Sequence, residues 1–206
     1  MSCKLISITP DAEKLIAFCA RVSNAKNQQN ENIEGLLKYC FKHNHYSIFE
    51  MANMVVEITT SCPIATQILR HRSFTFQQFS QRYASVEMDI ELPQLRRQHP
   101  TNRQMSLNDL DEDLVNELQY EIKKHFDDAD LLYKRLLMKG VAKESARLIL
   151  PQNAPTTMYM NGTIRSFIHY IQLRTGNGTQ EEHKQIALQI KKIFQEQLPI
   201  IGKMLN

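Results

Sequence analysis

The segment of the chain with the most chemical potential is Arg70–Tyr83, which reads RHRSFTFQQFSQRY. It places three arginines and one histidine within thirteen residues and separates them with hydroxyl, amide and aromatic side chains. Arginine forks bind phosphate through paired hydrogen bonds, and aromatic faces stack on flat rings. The segment therefore contains the groups needed to hold a nucleotide.

Two other interpretations use the same residues. Cations at a helix C-terminus are favoured by the macrodipole and need no ligand, and composition alone leaves that interpretation open. A nucleic-acid-binding module would also use interleaved basic and aromatic side chains. The isoelectric point near 8.6 and the dense acidic residues between 111 and 130 disfavour such a module.

Cysteine and histidine patterns predict neither a metal site nor a protein nucleophile. The four cysteines form no CxxC pair and no zinc-spaced cluster, so free thiols are expected. Cys62 precedes Pro63 outside any basic motif, whereas an activated thiolate needs a basic pocket. Ser80 lacks an evident base, which favours ligand binding over nucleophilic attack. His43 and His45 have no partner cluster and indicate a polar turn.

Hydrophobic periodicity predicts the elements that must position these residues. Strands or extended segments are expected at 3–8, 51–60, 82–91 and 155–162. Helices are expected at 11–22, with Asp11 as cap, and at 33–41, 63–72, 107–126, 141–148, 163–174 and 180–197. The acidic run 127–130 is a candidate interruption of the long helix, and Gly140 is expected to end it. The helix at 63–72 would carry RHR at its end, with Gln67 on the face of Arg70 and His71.

The bulk properties favour one compact domain over residues 1–206. A chain of 206 residues with 42% hydrophobic residues and a net charge of +3 can bury a core and a cleft. The element order predicts an α+β fold with several helices and a mainly antiparallel sheet. No apolar run is long enough for a membrane span and no signal peptide is evident, so a cytoplasmic protein is expected. A Rossmann fold is disfavoured because GxGxxG is absent.

Several motifs occur in the order in which one enzyme family carries them. Seven residues separate RHR at 70–72 from Ser80. HNHYSIFE lies upstream at 43–50, ARVS at 20–23 and ARLILP downstream at 146–151. Arg165-Ser166 and Leu173-Arg174 match two further positions. Because these matches extend over most of the chain, it resembles the flavin-dependent thymidylate synthases, whose signature is RHR-x7-S.

The resemblance implies a role for each matching residue. The expected dUMP contacts are Gln67, Arg70, Gln78, Phe79, Ser80, Gln81, Arg82, Arg147 and Arg174. The expected FAD contacts are Ser47, Arg70, His71, Arg72, Gln78, Thr163, Ile164, Arg165 and His169. His45 is expected on the folate side. Arg174 is implied as the catalytic residue, because a fixed positive charge favours ionisation of the uracil N–H and stabilises the developing anion.

The resemblance also implies a reaction and an assembly. The chain would methylate dUMP reductively to dTMP, with methylenetetrahydrofolate as one-carbon donor and NADPH-reduced FAD as hydride source. It would form a homotetramer with active sites shared between subunits, and neither nucleic acid nor membrane would be a partner. Four positions depart from the family pattern: Gln78 replaces Glu in many relatives, Thr163 and His169 replace Asn, and Gly178 replaces His in some.

Overall fold

The computed structural model describes residues 1–205. Its strands are β1 (Ser2–Ile8), β2 (Asn53–Ser61), β3 (Thr75–Gln78), β4 (Arg97–Gln98), β5 (Ser106–Leu107) and β6 (Pro155–Thr163). A four-stranded sheet has the order β1-β2-β6-β3, and β4 pairs with β5 antiparallel. β1 and β2 are also antiparallel, with a register shift between Leu5 and Ser7. The predicted α+β class with an antiparallel sheet is confirmed.

The helices vary widely in length. They are α1 (Ala12–Ala20), α2 (Glu34–Lys42), α3 (Cys62–Ile68), α4 (Glu112–Met138), α5 (Lys143–Ala146), α6 (Ile164–Arg174), α7 (Glu181–Gln197) and α8 (Pro199–Gly202). Short 3₁₀ helices lie at Ala25–Asn27, Tyr46–Glu50, Arg147–Ile149 and Lys203–Leu205. No helix within residues 1–205 combines the length and apolar character that crossing a bilayer requires.

The chain forms two compact units. The first comprises Met1–Thr59, Gln67–Gln77 and the chain from Met158 onward, and the second comprises Thr60–Thr66 and Gln78–Thr157. The description of residues 1–206 as one domain stays a prediction.

The core of the first unit forms where α6 and α7 pack together and α7 packs on β1. Strand β2 buries alternate residues, because successive side chains of a strand point to opposite faces. Helix α7 buries Ile186, Ala187, Ile190 and Phe194, which recur at helical spacing. Thr163 caps α6 by accepting a hydrogen bond from the Ser166 N–H at 3.2 Å. This cap fixes the start of the helix that carries Arg165, His169 and Arg174.

The second unit is organised around α4. Asp111 caps this helix by accepting hydrogen bonds from the N–H groups of Asp113 and Leu114, each at 3.1 Å. The core of the unit contains Val86, Tyr133 and Ala146, and the Tyr133 hydroxyl accepts the Val86 N–H at 3.2 Å. This arrangement holds the segment that follows Tyr83 against a helix that begins about thirty residues later.

Most of the predicted elements are confirmed, including β1, β2, β6, α2, α6 and α7. Gly140 follows the end of α4 with a φ of 81°, as its predicted role as a helix stop requires. Helix α4 is not interrupted at 127–130, because Lys123 pairs with Asp127 at 2.8 Å and Lys134 with Asp130 at 2.6 Å within continuous helix. Asp11 precedes α1, but its side chain makes no capping hydrogen bond and its φ is 46°.

Two predictions around the arginine-rich segment are wrong. Helix α3 ends at Ile68 rather than at 72, because the chain turns there and the His71 N–H bonds to the Ile68 carbonyl at 3.0 Å. The predicted strand at 82–91 is absent from the described structure, and β3 lies earlier, at Thr75–Gln78. The Ser80 carbonyl accepts the N–H groups of Tyr83 and Ala84, which forms a turn where a strand was expected.

Gly162 of β6 faces the ring of Phe74. A Cβ added at Gly162 would lie 2.7 Å from Phe74 Cε1. The ring cannot retreat freely, because it packs edge-on against Phe167 at a centroid distance of 4.9 Å. We expect Gly162→Ala to lower the free energy of unfolding by roughly 2 kcal/mol, the usual cost of overpacking a core. Urea unfolding measures this change.

Gly35→Ala is the matched control, because an added Cβ there meets no atom within 4 Å and Gly35 lies inside α2. The free energy of unfolding should stay unchanged or rise by about 0.5–1 kcal/mol in that variant. Equal effects of the two substitutions would contradict the packing of Phe74 described above.

Candidate active site

The turn after α3 separates the three residues of the RHR motif. Because the chain leaves the helix at Ile68, Arg70 and Arg72 are exposed while His71 enters the core of the first unit. The His71 carbonyl accepts the Phe74 N–H at 3.2 Å, which closes the turn. The expectation that Gln67, Arg70 and His71 share a helical face is therefore wrong, although their backbones remain hydrogen-bonded through this turn.

His71 holds Arg174. The Arg174 Nε donates to His71 Nε2 at 2.8 Å, which joins the motif to the last residue of α6. Since a guanidinium only donates, His71 must accept at Nε2 and carry its proton on Nδ1. Burial, and next the positive charge of Arg174, lower the pKa of His71 to about 4. A neutral imidazole therefore orients the arginine that the sequence predicts to be catalytic.

A second buried histidine, His183, was not predicted. It lies on α7, is fully buried, and contacts the Tyr170 hydroxyl at 3.1 Å and Gln67 Oε1 at 3.3 Å. A single histidine on an apolar helix face resembles an ordinary core residue, so its spacing gave no signal. It nevertheless connects α7 to Gln67, one of the expected dUMP contacts.

Three of the residues expected at the flavin, Ser47, Arg165 and His169, lie on α6 and on the 3₁₀ helix that packs against it. Arg165 and His169 are both exposed and four residues apart, so they lie on one face of the helix, as predicted. Arg165 forms an ion pair with Glu50, at the end of the 3₁₀ helix that contains the exposed Ser47. The Ser166 hydroxyl donates to the Ser73 carbonyl at 3.2 Å, which ties α6 to the chain just after RHR.

Two residues expected at the flavin are engaged elsewhere. Ile164 is fully buried, and its N–H donates to the Ala52 carbonyl at 2.9 Å. The Thr163 hydroxyl caps α6 and also lies 3.1 Å from the Ser166 hydroxyl. A flavin contact at these two positions stays a prediction, and it would have to involve the atoms that these bonds leave free.

The other expected dUMP contacts belong to the second unit. The Phe79 N–H donates to the Thr157 carbonyl at 2.9 Å, which fixes the chain next to Ser80. Gln78 donates through Nε2 to the Thr156 hydroxyl at 3.2 Å. Arg82 pairs with Glu144 at 2.8 Å. Arg147 begins the 3₁₀ helix Arg147–Ile149 and is half-buried.

Several of the arginines predicted to bind ligands have no carboxylate partner. Within the described residues, no ion pair engages Arg70, Arg72, Arg147 or Arg174. Guanidinium groups that lack a protein counter-charge are suited to phosphate, which they bind by charge-assisted hydrogen bonds. The first unit therefore offers unpaired cations at the end of α3 and of α6, and the second offers Arg147.

Cys3, Cys40 and Cys62 have pKa values shifted away from those that nucleophilic catalysis requires. Burial raises the pKa of Cys62, although Gln81 donates to its sulfur at 3.5 Å. Burial also raises the pKa of Cys40 and raises that of Cys3 to about 12. An activated cysteine needs the opposite shift. Among residues 1–205 no group of three or more histidine, cysteine or acidic side chains could hold a metal ion.

Sequence comparison identifies relatives along nearly the full length of the chain. The family model described as thymidylate synthase complementing protein matches residues 4–200. The chain belongs to the flavin-dependent thymidylate synthase family. It is 52% identical over 214 residues to a probable flavin-dependent thymidylate synthase of Paramecium bursaria Chlorella virus 1, covering 100% of this chain and 99% of the relative. A flavin-dependent thymidylate synthase of Synechocystis sp. is 48% identical over 194 residues, with coverage of 94% and 89%.

Structural comparison agrees on the fold of this flavin-dependent thymidylate synthase family member. The UMP/dUMP methylase PolB from Streptomyces cacaoi, in its crystal structure with 5-Br dUMP, superposes with a TM-score of 0.86 at 24% sequence identity. The match covers 98% of this chain and 93% of that one. At this identity the match establishes a shared fold.

The two buried histidines of this flavin-dependent thymidylate synthase family member make its stability sensitive to acid. Burial and the nearby charge of Arg174 lower the pKa of both His71 and His183 to about 4. In the unfolded chain each titrates near 6.5, so below that pH the unfolded state binds more protons. Protonation of these two histidines therefore leaves the free energy of unfolding unchanged above about pH 6.5 and lowers it progressively as the pH falls towards 4.

We expect His183→Gln to have a lower free energy of unfolding at pH 7.5 but to lose less on acidification to pH 5. The difference between the two losses should be roughly 1–2 kcal/mol, since one buried histidine no longer resists protonation. Urea unfolding of both proteins at the two pH values measures it, and carboxylate titrations cancel in the comparison. Equal losses would mean that His183 is not held neutral by the fold.

Proposed function

We propose that this chain catalyses the reductive methylation of dUMP to dTMP, with methylenetetrahydrofolate as one-carbon donor and NADPH as the reductant of bound FAD. Membership of the family supports the reaction class. The observation that carries the proposal for this chain is the Arg174 guanidinium, which a neutral and buried His71 holds at 2.8 Å.

Arg174 would act on the uracil ring. A guanidinium carries a fixed positive charge and only donates hydrogen bonds, so it can stabilise negative charge on the ring without exchanging a proton. A positive charge beside the ring favours ionisation of the uracil N–H and makes the ring carbon more nucleophilic. Because the Arg174 Nε already donates to His71, the two terminal nitrogens of the guanidinium remain to face the substrate.

The remaining groups would bind the nucleotide. In the first unit, Arg70 offers an unpaired cation and Gln67 an amide. In the second unit, the amides of Gln78 and Gln81 and the side chains of Phe79 and Ser80 lie along a short stretch of chain with Arg82. Arg147 supplies a further unpaired cation for the phosphate.

The residues present fit a flavin dinucleotide. Its pyrophosphate is anionic, and Arg70 and Arg72 of the first unit are exposed cations with no ion pair in the described part of the chain. Ser47, Arg165 and His169 offer hydroxyl, guanidinium and imidazole groups on the exposed side of α6 and its neighbouring 3₁₀ helix. These residues would hold FAD, together with His71, Thr163, Ile164 and Gln78. When bound, FAD supplies the hydride of the reductive methylation.

The folate site and the assembly belong to the same proposal. His45 is exposed, and its ring packs edge-to-face against that of Tyr39 at a centroid distance of 5.9 Å, so it offers an aromatic contact for the folate. The proposed assembly is a homotetramer with shared active sites. Helix α4 supports it, because Tyr120, Leu131 and Met138 are 73%, 66% and 79% exposed and would be covered by another copy. Neither nucleic acid nor membrane is proposed as a partner.

A turnover assay tests the proposal. Purified protein is supplied with dUMP, methylenetetrahydrofolate, NADPH and FAD, and dTMP is measured with FAD omitted as the control. Flavin-dependent formation of dTMP is the expected result. If no dTMP forms and titration detects neither dUMP nor FAD binding, the proposal fails, and single-stranded nucleic acid becomes the ligand to test on Arg70–Tyr83.

A further inference from the structure

A line of hydrogen bonds runs from the core of the first unit to its surface through Gln67. The Tyr170 hydroxyl lies 3.1 Å from His183 Nε2, and His183 Nδ1 lies 3.3 Å from Gln67 Oε1. Gln67 Nε2 then bonds to Gln180 Oε1 at 2.6 Å, and Gln180 Nε2 bonds to Glu182 Oε2 at 2.9 Å. Three elements, α3, α6 and α7, are joined in this way.

The carboxylate at the outer end fixes the direction of every bond in the line. An ionised carboxylate only accepts, so Gln180 must point its NH₂ group at Glu182 and its carbonyl at Gln67. That carbonyl also only accepts, so Gln67 must present Nε2 to Gln180. Its own carbonyl then faces His183, which must donate from Nδ1.

The inner end of the line agrees with this direction. With its proton on Nδ1, His183 accepts at Nε2, and Tyr170 is left to donate its hydroxyl proton. Both residues are fully buried. Burial raises the pKa of Tyr170 and lowers that of His183 to about 4, so the phenol keeps its proton and the imidazole stays neutral. If every hydrogen bond in the line ran the other way, the Gln180 carbonyl oxygen would face the Glu182 carboxylate, and two acceptors would repel each other.

We propose that the line Tyr170–His183–Gln67–Gln180–Glu182 locks the Gln67 amide so that it presents an N–H donor to an acceptor oxygen of dUMP. This inference rests on the proposed function and names positioning residues for it. Gln67 carries two N–H donors, and Gln180 takes one of them. Within the described residues the second has no partner. Tyr170, His183, Gln180 and Glu182 act through Gln67 and need not touch the nucleotide.

Gln180 is the position at which this inference can be tested without disturbing the core. It is exposed, it precedes α7, and its side chain makes no capping hydrogen bond. Gln180→Glu places an acceptor opposite Gln67 Nε2 and keeps the amide in its orientation. Gln180→Lys places a donor there, so the Gln67 amide must turn over and present its carbonyl where the N–H stood.

The expected order of affinities opposes simple electrostatics. A lysine near a dianionic nucleotide would strengthen binding through its charge, and a glutamate would weaken it. We expect the reverse: Gln180→Glu should bind dUMP about tenfold more tightly than Gln180→Lys, the effect of one hydrogen bond replaced by a repulsive contact. Calorimetric titration with dUMP measures both dissociation constants, and circular dichroism verifies folding of each variant.

Measuring the dUMP affinity of the same two Gln180 substitutions in a Gln67→Ala background completes the test. If Gln180 acts through Gln67, the tenfold difference should vanish there. Equal affinities in the original background, tighter binding by Gln180→Lys, or a difference that survives Gln67→Ala would each overturn the inference. Absence of dUMP binding by the unaltered chain is a separate result, because it refutes the proposed function itself.

Discussion

Arg174→Ala should reduce dTMP formation about a thousandfold while FAD remains bound. The expected size is that of removing one charge-stabilising group from a transition state, roughly 10²–10³ in rate. Binding of FAD should persist because the residues proposed to hold it, Ser47, Arg165 and His169, do not depend on Arg174, and Arg165 has its own ion pair with Glu50. The measurements are turnover at saturating dUMP and flavin absorbance after gel filtration.

Two other variants make the Arg174 result specific. Arg174→Lys keeps a positive charge but loses the planar fork, so it should recover part of the rate. Arg165→Ala removes an exposed arginine from the same helix and should weaken FAD binding, with activity restored by excess FAD. If Arg174→Ala lost flavin together with activity, Arg174 would be a flavin or structural residue instead.

The elements that carry the candidate site were predictable where a single periodicity dominated. Strand β2 alternates more and less buried residues, and α6 and α7 repeat apolar residues at helical spacing. The predicted ends of these three elements therefore lie within two residues of the observed ends. The shared face of Arg165 and His169 followed from the same helical period. These features depend on local patterns, which a sequence displays directly.

The path of the chain through RHR was not predictable, because distant residues determine it. A basic run after apolar residues continues a helix as readily as it ends one. Helix α3 nevertheless ends at Ile68, and His71 is buried where it can accept a hydrogen bond from Arg174, 103 residues further along the chain. The strand expected at 82–91 failed for a related reason, since Val86 packs against Tyr133 of α4 instead of a neighbouring strand.

The buried polar line through His183 shows a further limit. Tyr170 and His183 lie on the apolar faces of α6 and α7, where each looks like a core residue in isolation. The role proposed for them depends on a contact between these two helices and on the amide of Gln67 from a third. Only the three-dimensional arrangement shows that the Gln67 amide is connected to the Glu182 carboxylate through Gln180.

Arg147→Ala should weaken dUMP binding about 10- to 100-fold, the effect of losing a charge-assisted hydrogen bond to phosphate. Arg147 is half-buried and has no carboxylate partner within residues 1–205. Its charge is therefore available to an anion without breaking an existing pair. Titration with dUMP at low and high salt measures the loss, which should shrink as salt screens the charge.

Arg82→Ala is the matched comparison in the same unit. Arg82 already donates to Glu144 at 2.8 Å, so a bond from its Nε to dUMP would replace a bond that exists in the free chain. Its loss should therefore weaken dUMP binding less than the loss of Arg147, and Glu144→Gln should strengthen binding by releasing Arg82. If Arg82→Ala proved as damaging as Arg147→Ala, and Glu144→Gln had no effect, the ion pair would not compete with the nucleotide. The phosphate would then depend on Arg82 and Arg147 equally.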